Sequence, residues 1–132
     1  MTIHASGTFK VDSWEEDSYA ETGDGGKLTR ARVKQTFSGD IEGEGAVQWL
    51  MAYRADETAH FVGLQHVAGR LGDRSGEFVL ETSGTFDGKK AEGEWNVVPG
   101  SGAGELRGLR GRGGFSAPLG PEATVTLEYE LD

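Results

Sequence analysis

The stretch LTRARVKQTFSG, residues 28–39, decides the fold class, because apolar and polar side chains alternate along it with a period of two. On an extended chain one face would carry Ala31, Val33, Gln35 and Phe37. The other face would carry Arg30, Arg32, Lys34 and Thr36. This alternation predicts a β-strand with one face in a core and the other in water.

The same period recurs along the chain, and helical periodicity is nearly absent. It predicts eight strands, at residues 2–14, 28–39, 46–54, 59–71, 76–86, 90–98, 111–117 and 123–131. Asp87-Gly88 is typical of a hairpin turn, the acidic residues 15–27 indicate a loop, and residues 104–109 are compatible with one helical turn. Eight antiparallel strands can close around side chains or one small ligand. We therefore predict an all-β fold, an eight-stranded antiparallel β-barrel, with a β-sandwich as the alternative.

Composition narrows the classes of protein to consider. A chain of 132 residues indicates a single domain over residues 1–132. Its 22 glycines, against a usual share of about 7%, fit a bent and bulged sheet. With 13 basic and 22 acidic residues the net charge is −9, which argues against nucleic acid and anionic membranes as partners. The absence of cysteine, signal peptide and membrane-spanning run favours a soluble cytoplasmic protein.

No metal or nucleotide cofactor is expected. His60 and His66 are too far apart along one strand, about 20 Å, to share a metal ion. The run Gly100-Ser-Gly-Ala-Gly104 lacks the lysine of a phosphate-binding loop and the third glycine of a dinucleotide loop.

Several polar side chains fall on predicted apolar faces, where they need a partner. Gln35 and Gln65 share the parity of core positions, and Glu81 shares the parity of Val79. Such groups either satisfy one another or line a cavity and meet a ligand. The predicted apolar wall of that cavity consists of Trp49, Met51, Tyr53, Phe61, Trp95 and Tyr129.

A catalytic version of this cavity needs a general acid or base. Glu81 and His66 are the best candidates for this role. The faces of the fourth strand stay open, since Val62, Leu64 and His66 form an inner set almost as good as the alternative. A bulge at Gly63 or Gly69 would exchange the two faces.

The chain resembles a functionally uncharacterised bacterial family, a domain of unknown function with the allene-oxide-cyclase-like barrel fold. The segments that carry the resemblance are LTRARVKQTFSGDIEGEG (28–45), VQWLMAYR (47–54), FVGLQHVAGRLGDRSGEFVLETSGTFDG (61–88) and EWNVVPGSGAGELRGLRGRGGF (94–115). The resemblance implies an eight-stranded barrel around a hydrophobic cavity, in a homo-oligomer. It supplies no catalytic residues, so a cyclase activity is an analogy from fold.

Two functions follow from these observations. The first is a barrel that binds a hydrophobic small molecule, with Gln35, Gln65 and Glu81 as polar anchors. Its catalytic form would be a cofactor-free isomerase or cyclase that acts by confining its substrate. The alternative is a non-catalytic oligomeric interaction module, because residues 46–54 are apolar on both faces.

Overall fold

The strands account for most of the chain. The computed structural model describes residues 2–118 and 122–131. Its strands are β1 (Ile3–Glu21), β2 (Lys27–Gly39), β3 (Ile41–Tyr53), β4 (Ala59–Leu71), β5 (Arg74–Phe86), β6 (Lys90–Val97), β7 (Ala103–Gly104), β8 (Arg110–Pro118) and β9 (Glu122–Glu130). A 3-10 turn over Gly23–Gly25 joins β1 to β2. In these described ranges no helix has the length and apolar character needed to cross a bilayer.

The long strands close into an antiparallel barrel. Neighbours follow the order β4-β3-β2-β1-β9-β8-β6-β5, and β5 pairs with β4 to complete the ring. The ninth strand, β7, is an addition that pairs with the start of β5. The predicted eight-stranded antiparallel barrel is confirmed, including the hairpin at Asp87-Gly88.

One end of the barrel is filled by side chains. The segment between β6 and β8 folds over this end, where it pairs with β5 through β7. Leu106 and Leu109 from this segment are almost completely buried. Residues 104–109, which the sequence left as a single helical turn, form consecutive turns closed by Leu106 N–H to Ala103 O and Leu109 N–H to Leu106 O.

The first strand is longer than its sequence predicts, because residues 15–21 are strand and not loop. This acidic stretch lies directly opposite the basic outer face of β2: Glu15 pairs with Arg32, Asp17 with Arg30 and Glu21 with Lys27. Opposite charges on facing positions stabilise a pair of strands. β1 pairs with β9 only as far as Lys10, so residues 11–21, here called the β1 arm, continue along β2 alone.

The faces of β4 and β5 are settled by burial. In β4 the inner set is Phe61, Gln65 and Val67, and the outer set is Val62, Leu64 and His66. In β5 the inner set is Phe78, Leu80 and Thr82. Glu81 therefore points outward and is exposed, and its predicted place on the inner wall is wrong. Both alternations of β5 contain apolar residues, and the bulkier Phe78 and Leu80 take the core.

Gly43 and Gly69 mark a close approach of two backbones. They face each other across β3 and β4, with φ of 145° and 156°. A Cβ on Gly69 would collide with the carbonyl oxygen of Glu42 and with the Cα of Gly43. Because backbone atoms cannot move aside as a flexible side chain can, this pair requires glycine on both strands.

We expect Gly69→Ala to lower the free energy of unfolding by about 2–4 kcal/mol, through backbone strain and overpacking together. Gly88→Ala is the matched control, since Gly88 has φ of 92° but open space around its Cα. The control adds only conformational strain, about 1–2 kcal/mol. Urea denaturation of both variants measures the difference, and equal losses would show that the backbone contact is unimportant.

Candidate functional site

An apolar pocket of about 240 Å³ lies inside the barrel, at the end away from Leu106 and Leu109. It lies at the end of the barrel where β3 and β5 end and β6 begins. Its lining consists of Phe9, Val11, Trp14, Gln35, Trp49, Met51, Tyr53, Phe61, Phe86, Ala91, Phe115 and Ala117. None of these lining residues is charged, and apolar side chains with very few polar groups are typical of small-molecule sites.

The floor of the pocket is a cluster of aromatic rings centred on Phe115. Its ring centroid lies 6.1 Å from that of Phe61 and 5.8 Å from that of Phe9. Trp49 packs edge-on against Phe61, with 4.9 Å between ring centroids. The ring of Trp95 lies 5.5 Å from that of Phe115, on the side away from the pocket. Interlocking rings from five strands make this floor a rigid surface.

Gln35 is the polar side chain of the inner pocket. It is only 4% exposed, and its Oε1 accepts a hydrogen bond from Nε2 of Gln65. Its own amide nitrogen has no hydrogen-bond partner within residues 2–118 and 122–131. The two alternatives that the sequence left open are therefore both realised: the amides satisfy each other in part, and Gln35 also lines the cavity.

A carboxylate on the β1 arm organises one side of the pocket. Glu16 accepts hydrogen bonds from the indole N–H of Trp14 at 2.9 Å and from the hydroxyl of Thr29 at 2.7 Å. Burial opposes ionisation of Glu16, but hydrogen bonds from Thr29, Trp14 and Tyr53 outweigh it and hold the pKa of the carboxyl below its usual value. Glu16 thus lies behind the pocket lining and holds the indole of Trp14 in place, while the hydroxyl of Tyr53 donates to Sδ of Met51 at 3.7 Å.

The same carboxylate contributes to a raised pKa of Tyr53. Burial, followed by the hydrogen bond to Glu16, raises the pKa of Tyr53 to about 12. The phenol is therefore neutral at physiological pH and keeps its proton as a hydrogen-bond donor. The ammonium of Lys27 lies 5.2 Å from the centre of the Tyr53 ring and caps it from outside.

The predicted ligand-binding residues divide into two groups. Five of them line the pocket: Gln35, Trp49, Met51, Tyr53 and Phe61. Three are buried elsewhere. Gln65 lies behind Gln35, Trp95 donates its indole N–H to the carbonyl of Thr126 at 3.0 Å, and Tyr129 lies towards the filled end near Gly72.

The two predicted catalytic residues lie outside the barrel. Glu81 and His66 both border an open groove of about 1230 Å³ on the outer surface of the sheet. His66 lies 3.5 Å from the carboxylate of Glu77 there. Because the barrel wall separates them from the inner pocket, neither side chain can act on a molecule bound inside it.

Sequence reasoning missed the contribution of the β1 arm. Trp14 and Glu16 sit on the inner face because a bulge between Val11 and Ser13 shifts the alternation by one residue. The available signal was the match between the acids of residues 15–21 and the bases of β2. In the part of the chain that the structure describes, no group of three or more histidine, aspartate or glutamate side chains is placed to hold a metal ion.

We expect Glu16→Gln to destabilise the protein most at neutral pH. The pKa of Glu16 is lower in the folded state than the usual value of 4.5 for a glutamate carboxyl. Its ionised form therefore contributes stability above pH 4.5, and this contribution is lost as the pH falls through the folded-state pKa. Urea denaturation should show the deficit of Glu16→Gln shrinking between pH 7 and pH 3.

Glu15→Gln is the matched control for Glu16→Gln. Glu15 is exposed on the same strand and lies 3.1 Å from Arg32. An exposed ion pair contributes about 0–1 kcal/mol, so this variant should resemble the wild type at pH 7. A deficit of Glu16→Gln that stays constant with pH would contradict the role of the carboxylate charge.

Comparison with known proteins identifies the family. The family model described as "Protein of unknown function (DUF3224)" matches residues 5–129 of this chain of 132 residues. The chain is also similar to a crystal structure from Shewanella oneidensis MR-1, described as a protein with unknown function from the DUF3224 family. The two sequences are 29% identical, the TM-score is 0.81, and 100% of this chain and 99% of the other are covered. No curated protein matches the sequence.

These matches confirm the predicted domain-of-unknown-function family and its barrel, while the likeness to allene oxide cyclases stays a prediction. Since the family model spans nearly the whole chain and the similar structure covers all of it, the chain belongs to the DUF3224 family.

Proposed function

We propose that this protein binds a small hydrophobic molecule in the inner pocket of its barrel. The observation that carries the proposal is the contrast between the two ends of the interior. One end is filled by Leu106 and Leu109, whereas the other leaves about 240 Å³ between aromatic walls. Close packing is the rule inside proteins, so a volume of this size with an apolar lining favours a ligand site.

The volume sets the size of the ligand. An apolar cavity of about 150 Å³ holds benzene, so a pocket of 240 Å³ suits a molecule of about ten non-hydrogen atoms. Val11 and Trp14 border the pocket and remain 44% and 47% exposed. A ligand that covers these two side chains gains further hydrophobic stabilisation, at about 25 cal/mol for each Å² removed from water.

The proposal is binding, without an assigned catalytic residue. The isomerase or cyclase hypothesis relied on Glu81 and His66, and both lie on the outer surface. What remains of that hypothesis is confinement, in which rigid walls hold one conformer of a bound molecule. Phe61, Trp49 and Phe115 supply such walls.

We expect the wild-type protein to bind isopropylbenzene, a neutral hydrocarbon of the appropriate size, and Ala91→Phe to weaken binding at least tenfold by filling the pocket. Ala52→Phe is the matched control, because Ala52 is exposed on the outer face of β3. Titration calorimetry and thermal unfolding measure the effect, since ligand at 100 times its Kd stabilises a native protein by about 2.7 kcal/mol. Equal binding by both variants would place the site elsewhere, and no binding by the wild type would overturn the proposal.

The outer surface supports a second candidate, self-association. Leu50, Val62 and Leu64 are 49%, 52% and 57% exposed, and Leu50 faces Val62 across β3 and β4. This apolar strip lies between two charged margins. The basic margin on β2 consists of Arg30, Arg32 and Lys34, and the acidic margin on β5 and β6 consists of Glu81, Glu92 and Glu94.

We propose that a second copy of the chain covers this strip. In this arrangement the two-fold axis lies between the two copies and runs parallel to the strands. Rotation about it places the basic margin of one copy opposite the acidic margin of the other. Such self-complementary patches are characteristic of two-fold dimers. The charge pattern thus matches the homo-oligomer expected from the two apolar faces of β3.

We expect Leu64→Ser to convert a dimer into a monomer, because it removes an apolar side chain from the centre of the strip. Ile3→Ser is the control, since Ile3 is also exposed but lies on β1, beside β9. Light scattering across a concentration series measures the mass. Arg32 and Glu81 lie at the same height along the strands, so Arg32→Glu and Glu81→Arg should each weaken the dimer and the double variant should restore it. A wild type that is monomeric at all concentrations would overturn this candidate.

A further inference from the structure

The base of the inner pocket presents the amide N–H donors of Gln35, beside the indole N–H of Trp49, which also makes no hydrogen bond to the described residues. The side chain of Gln35 is 96% buried, as its exposure of 4% shows, and it lines the pocket. Gln65 donates to its Oε1, so that the carbonyl end of the amide is already engaged. The amide nitrogen carries two N–H donors, and neither has a partner in the described part of the chain.

We propose that the pocket binds a neutral aromatic carbonyl compound whose carbonyl oxygen accepts a hydrogen bond from Nε2 of Gln35. This inference rests on the proposed function and names the chemical class of its ligand. Among the described residues, Thr82 Oγ1 is the buried side-chain atom left without a partner, so Nε2 of Gln35 is not sealed in the core but opens to the pocket that Gln35 lines. A ligand carbonyl that reaches the base of the pocket would accept this hydrogen bond. A water molecule in the same place would find few other polar groups to bind.

The orientation of the amide is fixed by its neighbour. Gln65 is 1% exposed and comes from β4, two strands away from Gln35 on β2. Its Nε2 occupies Oε1 of Gln35, and this contact holds the side chain so that the nitrogen is the end left for a ligand. The pocket therefore offers a donor, and its complement is an acceptor such as a ketone, aldehyde or amide carbonyl.

The rest of the lining specifies the body of the ligand. Seven of the twelve lining residues are aromatic, and aromatic rings pack well against a planar ligand in stacked or edge-on contacts. The lining contains no charged side chain. Burying a carboxylate or an ammonium there would leave an unpaired charge at a large cost, which favours a neutral ligand.

The test compares acetophenone with isopropylbenzene, which replaces the carbonyl oxygen by a methyl group and has the same number of non-hydrogen atoms. Calorimetry or NMR titration gives the ratio of the two Kd values for each protein. The different hydration of the two compounds in water cancels when this ratio is compared between wild type and variant. Gln35→Met should shift the ratio at least about tenfold against acetophenone, because the carbonyl then enters the pocket without a donor.

Two further variants separate recognition from folding. Gln65→Met keeps the Gln35 donor but removes the contact that orients it, so it should shift the ratio in the same direction as Gln35→Met and by a smaller factor. Gln35→Met leaves the amide of Gln65 unpaired, so Gln35→Met/Gln65→Met, which removes both amides, serves where the single variant fails to fold. The double variant should show the same shift as Gln35→Met.

The outcomes distinguish this inference from the function on which it rests. If isopropylbenzene binds but the ratio does not change on loss of Gln35, the pocket stands and recognition of a carbonyl is overturned. If benzoate, which replaces the methyl group of acetophenone by an ionised oxygen, binds as tightly as acetophenone, neutrality is overturned. If neither neutral compound binds the wild type at any concentration tested, the proposed function itself fails.

Discussion

The position of the Phe115 ring determines how the interior of this barrel is used. Phe115 contacts aromatic rings from β1, β3, β4 and β6, and it lies against the backbone of Gly93, where a Cβ would meet the ring at 2.5 Å. A larger residue at Gly93 would displace the ring towards the centre. With the ring in place, side chains fill the interior between Phe115 and the end closed by Leu106 and Leu109, and the pocket occupies the other side of the ring. The pocket exists because a single aromatic layer divides an eight-stranded barrel.

The wall on the open side of the pocket depends on the pairing of the β1 arm with β2. Pairing of β1 with β9 ends at Lys10, so β2 is the strand that holds the arm in the described part of the chain. Acidic residues of the arm face basic residues of β2 on the outside, while Glu16 on the inside collects hydrogen bonds from Thr29 and Trp14. The same strand pair thereby uses carboxylates for two purposes. Outside they pair with bases in water, and inside one of them orients the indole that borders the pocket.

Alternation in the sequence was sufficient to predict the barrel and most inward-facing residues, but not their height along its axis. Gln35, Trp49, Met51, Tyr53 and Phe61 were predicted for the inner wall and line the pocket. Tyr129 has the correct parity but lies towards the filled end, and Trp95 lies below the aromatic floor. Height depends on the stagger between strands, which only the complete set of pairings determines. Glu81 was misplaced because its parity was taken from Val79 alone, whereas the other alternation of β5 carries Phe78, Leu80 and Phe86. Trp14 was missed because a bulge reverses the parity of β1.

The arrangement of polar groups explains why a passive container is a sufficient account of this site. Two polar groups behind the pocket contribute to positioning: Glu16 orients Trp14, and Gln65 orients Gln35. None of the lining residues is an acid or base that titrates near neutral pH, since burial and Glu16 keep the phenol of Tyr53 protonated. General acid–base chemistry requires a group whose pKa lies near the working pH. The fixed rings and the Gln35 amide fit the proposed ligand, since the rings would select its shape and the amide would donate to its carbonyl oxygen.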